Sequence, residues 1–138
     1  MTNENPDAKL KVLIIDDDTF LLDMYSIKFT ESGFNVSTAT SCTDALAKLT
    51  GGYKPDIMLV DIVMPGMDGI DFLKEARSRN LCEATHIIIL SNLGQKEDIE
   101  RGMSCGAQDY IVKANFTPSQ VVARVRELVT RQTESTPH

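Results

Sequence analysis

The stretch Ile57-Met58-Leu59-Val60-Asp61-Ile62-Val63-Met64-Pro65-Gly66-Met67-Asp68-Gly69 decides the fold. Four apolar residues run straight into a single carboxylate, Asp61. A Met-Pro-Gly turn follows, and Asp68-Gly69 then opens a helix. A short apolar run bounded by turn residues reads as a strand buried on both faces. Asp61 therefore stands at the carboxyl end of a central strand, where open α/β sheets bind their ligands. By itself an Asp in such a place is an ordinary turn former or helix cap. Its neighbours in the fold give it more weight.

On either side of this segment, strands and helices alternate. Leu10 to Ile15 is an apolar run that ends in Asp16-Asp17-Asp18. A helix follows to about Ser32, capped by Asp18 or Thr19 and stopped by Gly33. Phe34 to Thr38 alternates apolar and polar residues, as a strand nearer the sheet edge does. Ser41-Cys42-Thr43-Asp44 resembles a capping box and opens a helix through Leu49. After the central strand, Ile70, Leu73 and Ala76 mark one face of a helix from about Gly69 to Arg79. Ile87 to Leu90 is a second fully apolar strand, ending in Ser91. Gln95 to Met103 reads as a weak, mostly solvated helix whose apolar face is Ile99 and Met103. Tyr110-Ile111-Val112 is the last strand and ends in Lys113. Thr117-Pro118-Ser119-Gln120 is a strong helix start, and an apolar stripe from Val121 to Val129 carries that helix on.

Five βα units of these lengths imply an α/β fold: a doubly wound, five-stranded parallel sheet with right-handed crossovers and helices on both faces. The expected divisions are a polar N-terminal lead over residues 1–9, one globular unit over 10–130 and a polar, loose tail over 131–138.

Composition narrows the function. The 138 residues make one domain, 42% apolar and 25% charged, which is ordinary for a soluble protein. No apolar stretch approaches the ~20 residues of a bilayer span, and the polar start lacks the core of a signal peptide. A cytoplasmic location with no membrane contact is expected. A net charge of −6 argues against nucleic acid as a direct partner. Cys42, Cys82 and Cys105 have no metal or redox spacing and read as small apolar residues. His86 and His138 have no matching partners for catalysis.

The strands of a parallel sheet point one way, so Asp16, Asp17, Asp18, Asp61, Ser91 and Lys113 share one rim. Clustered carboxylates repel and stay ionised together only beside a cation. Hard oxygen donors with open positions suit Mg²⁺, which typically meets phosphate. A carboxylate nucleophile, a divalent cation, a hydroxyl and an ammonium are the parts that receive a phosphoryl group.

On these residues the chain resembles the receiver domain of two-component response regulators, from about Leu10 to Val129. Val12 to Asp17 matches the family's first strand and acidic pair. Asp61 to Gly69 matches its phosphoacceptor loop, Ser91 its Ser/Thr position, and Tyr110 with Lys113 its aromatic and lysine. The resemblance implies a flavodoxin-like (βα)5 fold and a signalling switch rather than a turnover enzyme. In that switch Asp61 would accept a phosphoryl group from a histidine kinase, a phosphotransfer protein or a small phosphodonor. Asp17, Asp61 and the Val63 carbonyl would ligate Mg²⁺, with Asp16 acting through a water. Ser91 and Lys113 would meet the phosphoryl group, and Ser91 and Tyr110 would form the switch pair. The face of the fourth helix, fifth strand and fifth helix would change its affinity for a downstream protein, with a homodimer through that face a further expectation. Asp18 fits a cap. With no output domain after the last helix, the chain reads as a single-domain regulator or a fragment of a longer protein.

Two positions depart from the family. Ala114 follows Lys113 where a cis proline is usual, and a non-proline cis bond costs about 3 kcal/mol or more. Asn92 follows Ser91 where a small residue is usual.

Two other functions compete. Asp16-Asp17-Asp18-Thr19 also fits the start of haloacid-dehalogenase-like phosphatases, with Asp16 as nucleophile. Those enzymes need an acidic pair after the lysine, and only Glu127 and Glu134 follow here. That reading also leaves Asp61 and its loop without a role. The other is a pseudo-receiver, a binding module that is never phosphorylated.

Overall fold

The computed structural model describes residues 9–134, with the side chains of 131–134 left aside. The elements are β1 (Lys11–Ile15), α1 (Thr19–Glu31), β2 (Asn35–Ala39), α2 (Cys42–Thr50), β3 (Ile57–Val60), α3 (Gly69–Ser78), β4 (His86–Ser91), α4 (Lys96–Ser104), β5 (Asp109–Val112), a 3₁₀ turn (Lys113–Asn115) and α5 (Pro118–Glu134). The strands form one parallel sheet in the order β2-β1-β3-β4-β5. Strand order reverses beside β1, and the crevice there opens at the carboxyl ends of β1 and β3.

Alternation along the strands sorts the core into two layers. Val12, Ile14, Ile57, Leu59, Ile88 and Leu90 face α1 and α5, where Leu22, Tyr25, Phe29, Val121 and Val125 cover them. Leu13, Ile15, Met58, Val60, Ile87 and Ile89 face the other way, against Leu46, Leu49, Ile70, Phe72 and Leu73 of α2 and α3. β3 is buried along its whole length, as the apolar run requires.

The helix boundaries follow capping chemistry. Asp18 caps α1, Ser41 caps α2 and Asp68 caps α3, each accepting from backbone amides of the first turn. At the start of α5, Thr117 Oγ1 accepts from Gln120 N and Gln120 Oε1 accepts from Thr117 N, a reciprocal box. Gly33 has φ +96°, the left-handed value that ends α1.

Three expectations need correction. α4 does turn its charged face to solvent, but its buried residue is Gly102, while Met103 is 40% exposed. The contact face is thus rotated from Met103 onto a residue with no side chain to signal it. α5 is helical through Glu134, so residues 131–134 of the tail expected to be loose lie in a helix, because no glycine or proline lies between Val129 and Glu134 to stop it. Strand β1 begins at Lys11, leaving Leu10 39% exposed beside it. Residues 1–8 of the lead and 135–138 of the tail lie outside the described residues. Among the described residues no helix is long and apolar enough to cross a membrane.

Candidate functional site: an acidic cleft at the carboxyl ends of the strands

The Asp16-Asp17-Asp18 run leaves β1 and is divided among three environments. Asp16 continues the strand alternation inward and is 1% exposed. Asp17 faces solvent. Asp18 turns back to cap α1, accepting from Phe20 N and Leu21 N at 3.1 Å each. Asp16 is fixed by its own turn, since its Oδ1 accepts from Asp18 N at 2.9 Å.

Asp61 leaves β3 with its peptide N–H bonded to Ile15 O, and the residue is 7% exposed. Its Oδ1 accepts from Val63 N at 3.3 Å. Gly69 packs under it so closely that a Cβ there would lie 2.1 Å from the Asp61 carbonyl oxygen. The Gly in Asp68-Gly69 is therefore a steric requirement of the loop as well as a helix opener.

Lys113 crosses from the end of β5. Its Nζ donates to Asp16 Oδ2 at 2.6 Å and to Asp61 Oδ2 at 2.9 Å, with its side chain 7% exposed. Burial alone would lower the lysine's pKa. The hydrogen bonds and charges of the two carboxylates outweigh it, so the pKa lies above the ordinary lysine value. Burial raises the Asp16 pKa, and Lys113 only partly offsets that.

Carboxylate oxygens of Asp16, Asp17 and Asp61 lie within 4.8 Å of one another. Three carboxylates against one ammonium leave two negative charges in one place. All the donors are hard oxygens, the set that suits Mg²⁺. Asp16, Asp17, Asp18, Leu21, Asp61, Val63, Ser91, Asn92, Leu93 and Lys113 line a cleft of about 320 Å³. A larger groove, about 630 Å³ between α1 and α5, contains Lys28, Arg126 and Glu127 and no comparable cluster of acids.

Ser91, fully buried, ends β4 with its Oγ accepting from Leu93 N at 3.2 Å. Tyr110 is half-buried on the edge strand, and its hydroxyl donates to Leu93 O at 2.5 Å. Burial raises the Tyr110 pKa, and a side-chain hydrogen bond with Ser91 works against that rise. The bond to Leu93 has no trace in the sequence, since any residue offers a carbonyl. After Lys113 the chain turns in a 3₁₀ segment with Ala114 exposed, and no peptide bond among the described residues is cis. Asn92 is exposed at the mouth of the cleft.

The structure thus brings together every residue that the sequence placed on the rim. Asp18 is in the cleft wall but spends its side chain on the helix. Glu127, one of the two acids after Lys113, lines the α1–α5 groove rather than the cleft.

Comparison with known proteins agrees with this geometry. The model of the response regulator receiver domain matches residues 12–126. The phosphate regulon transcriptional regulatory protein PhoB of Escherichia coli is 30% identical over 121 residues, which are 88% of this chain and 52% of that protein. The chain spans about half the length of the curated relatives it matches. Among solved structures, the receiver domain of the Francisella response regulator 1452 is 34% identical with a TM-score of 0.79, covering 90% of this chain and 99% of that one. A CheY-like receiver domain protein from Methanospirillum hungatei gives a TM-score of 0.82 at 25% identity, covering 94% of this chain and all (100%) of that one. With five parallel strands, an acidic cleft at their carboxyl ends and a family match over most of its length, the chain belongs to the response regulator receiver domains.

Proposed function

We propose that the chain is a phosphorylation-dependent switch whose phosphoacceptor is Asp61. The observation that carries this reading is Lys113 bridging Asp16 and Asp61 inside a cleft that gathers three carboxylates. A carboxylate oxygen of Asp61 attacks the phosphorus of a phosphohistidine or a small acyl phosphate. The new bond is an acyl phosphate on Asp61, and the donor leaves with the electron pair of the broken bond. Asp16, Asp17, Asp61 and the Val63 carbonyl would hold Mg²⁺, which supplies charge neutralisation to the phosphoryl oxygens. Lys113 gives up its contact with Asp61 to pair with the phosphoryl group, and Ser91 donates to one of its oxygens. The added charge then re-pairs Ser91 and Tyr110 and alters the surface of α4, β5 and α5.

The donor on this reading is a histidine kinase or phosphotransfer protein, and the output is a change in affinity for a downstream protein or a second copy through that face. PhoB is named a transcriptional regulator. For this chain the net charge of −6 favours a protein partner over direct contact with nucleic acid, in the cytoplasm. Turnover as a phosphatase has no support from the position of Glu127.

The test is incubation with acetyl phosphate and Mg²⁺ followed by intact-protein mass spectrometry. Wild type gains one phosphoryl mass and Asp61→Asn gains none. Equal gain by both variants would overturn the assignment of Asp61, and no gain by either would favour a binding module that is never phosphorylated.

A further inference from the structure

Gly102 is the one buried residue of α4, a helix otherwise built from charged and half-exposed side chains. Glycine within a helix costs about 1 kcal/mol relative to alanine, and its helical backbone needs no special φ. Space explains it better. A Cβ at Gly102 would lie 2.5 Å from Ile89 Cδ1 and 3.0 and 3.1 Å from Cδ2 and Cε2 of the Tyr110 ring. The ring of Tyr110 is thus seated against the bare backbone of α4. Ile89, 0% exposed in the core below, has no solvent to turn into.

That seat fixes where the phenol points. Tyr110 O–H donates to Leu93 O, and Leu93 N–H donates to Ser91 Oγ. The two bonds run in series from Tyr110 through Leu93 to Ser91, at the wall of the cleft that holds Asp61. The Ser91 hydroxyl is thereby engaged as an acceptor.

Resting on the assignment of Asp61 and Ser91 above, we propose that Gly102 is a positioning residue: its missing side chain seats Tyr110 so that Tyr110 and Leu93 hold the Ser91 hydroxyl away from the phosphoacceptor. Contact between Ser91 and a phosphoryl group requires the Leu93–Ser91 bond to yield. A methyl at Gly102 displaces the Tyr110 side chain or lifts α4, weakens this series of bonds beforehand and lowers the barrier to phosphorylation.

The experiment compares wild type, Gly102→Ala, Tyr110→Phe and the double variant in acetyl phosphate with Mg²⁺. It follows the phosphorylation rate by mass and the Leu93 amide by hydrogen exchange. Gly102→Ala and Tyr110→Phe should each speed phosphorylation by about threefold or more, the worth of part of one hydrogen bond. The double variant should be no faster than Tyr110→Phe alone, because both changes act on one contact. The Leu93 amide should exchange faster in all three. Ile89→Val, which removes the Cδ1 that the new methyl meets, should bring Gly102→Ala back toward the wild-type rate. A merely structural glycine would change the melting temperature without this non-additivity or rescue. An unchanged or slower rate in Gly102→Ala, or effects that add in the double variant, overturns the proposal. Should Gly102→Ala fail to fold, a Tyr110→Phe variant with unchanged Leu93 exchange overturns it equally, and faster exchange supports it. If wild type takes up no phosphoryl group, the assignment of Asp61 fails. The exchange data still decide whether Gly102 seats Tyr110.

Discussion

Lys113 Nζ lies 2.6 Å from Asp16 Oδ2, a buried ion pair between residues 97 positions apart in the chain. It ties the end of the last strand to the end of the first, and through Asp61 to the middle of the sheet. A single ammonium cannot compensate the acids around it. Burial raises the Asp16 pKa in spite of this partner, so the site holds an excess of negative charge that a divalent cation would offset.

Asp16→Asn is therefore expected to stabilise the metal-free protein at neutral pH, the direction that the burial-raised pKa of Asp16 sets. The folded-state pKa of Asp16 is the higher one. As pH rises, the unfolded chain loses this proton first, so stability falls through the window between the two values and stays reduced above it. The gain from Asp16→Asn should appear above the ordinary carboxylate range and vanish below it. Urea unfolding in chelator at neutral and at strongly acid pH measures this. A loss of stability at neutral pH would mean that the Lys113 bond outweighs the burial of Asp16.

Asp17→Asn should weaken Mg²⁺ binding far more than Asp18→Asn. The two are neighbours in sequence, but Asp17 belongs to the carboxylate cluster and Asp18 is bonded to Phe20 N and Leu21 N. Losing one anionic ligand weakens a hard-cation site. Losing the cap costs about 1 kcal/mol of stability instead. Mg²⁺ should raise the melting temperature of wild type and Asp18→Asn by linkage, and do so much less for Asp17→Asn. Equal Mg²⁺ affinities by calorimetric titration would contradict this division.

The thiols offer a test of the core that is independent of phosphate. Burial, with Asp68, Asp61 and Asp71 nearby, pushes the Cys42 thiol up to about 12. Cys82 is buried and raised as well, whereas Cys105 is half-buried. A maleimide or disulfide reagent at neutral pH should modify Cys105 first and leave Cys42 untouched until the protein unfolds. For Cys42 the folded pKa again exceeds the unfolded one, so its contribution makes stability fall as pH rises past about 9, the ordinary thiol value. Removing it with Cys42→Ala should flatten that alkaline decline. Peptide mapping after brief labelling, with Cys42 modified as fast as Cys105, would show that the α2 start is not closed.

Much of the fold and of the cleft is legible in the order of the amino acids. The apolar runs ending in Asp16, Asp61, Ser91 and Lys113 specify both the parallel sheet and its working rim, because strand direction alone gathers the ends. Caps are equally plain, since Asp18, Ser41, Asp68 and Thr117 carry side chains whose chemistry is local. Contacts without a side-chain signal stay hidden. Gly102 faces the sheet where the apolar pattern points to Met103, Tyr110 bonds to a carbonyl of Leu93, and Gly69 touches the Asp61 backbone. Each depends on close approach of main chain, which residue periodicity does not encode. The continuation of α5 through Glu134 is obscure for the opposite reason: polar residues with ordinary helix propensity give no stop signal.

The lifetime of a phosphoryl group on Asp61 should be long, and the cleft walls say why. Hydrolysis needs a water in line with the bond to the carboxylate oxygen. Val63 and Leu93 stand in the cleft lining beside Asp61 and Ser91, and neither side chain can accept a hydrogen bond and hold that water. Val63 is 58% exposed, so it can be exchanged without disturbing the core. Leu93 is half-buried against the α2–α3 layer, so its replacement carries some loss of stability. Asn92, exposed at the same mouth and also in the cleft lining, can bond to water. Val63→Asn with Leu93→Glu should speed dephosphorylation on the order of tenfold, short of the 10²–10⁴ of a fully engaged general base. Val63→Asn alone should give part of the gain and separates the effect from any loosening at Leu93. The measurement is decay of the phosphorylated protein in Mg²⁺ after the phosphodonor is removed, wild type beside the two variants. A wild type that decays as fast as the double variant would mean that the apolar pair only packs. A gain in the double variant that is absent from Val63→Asn and matched by faster exchange of backbone amides would trace it to loosening instead of to a positioned water.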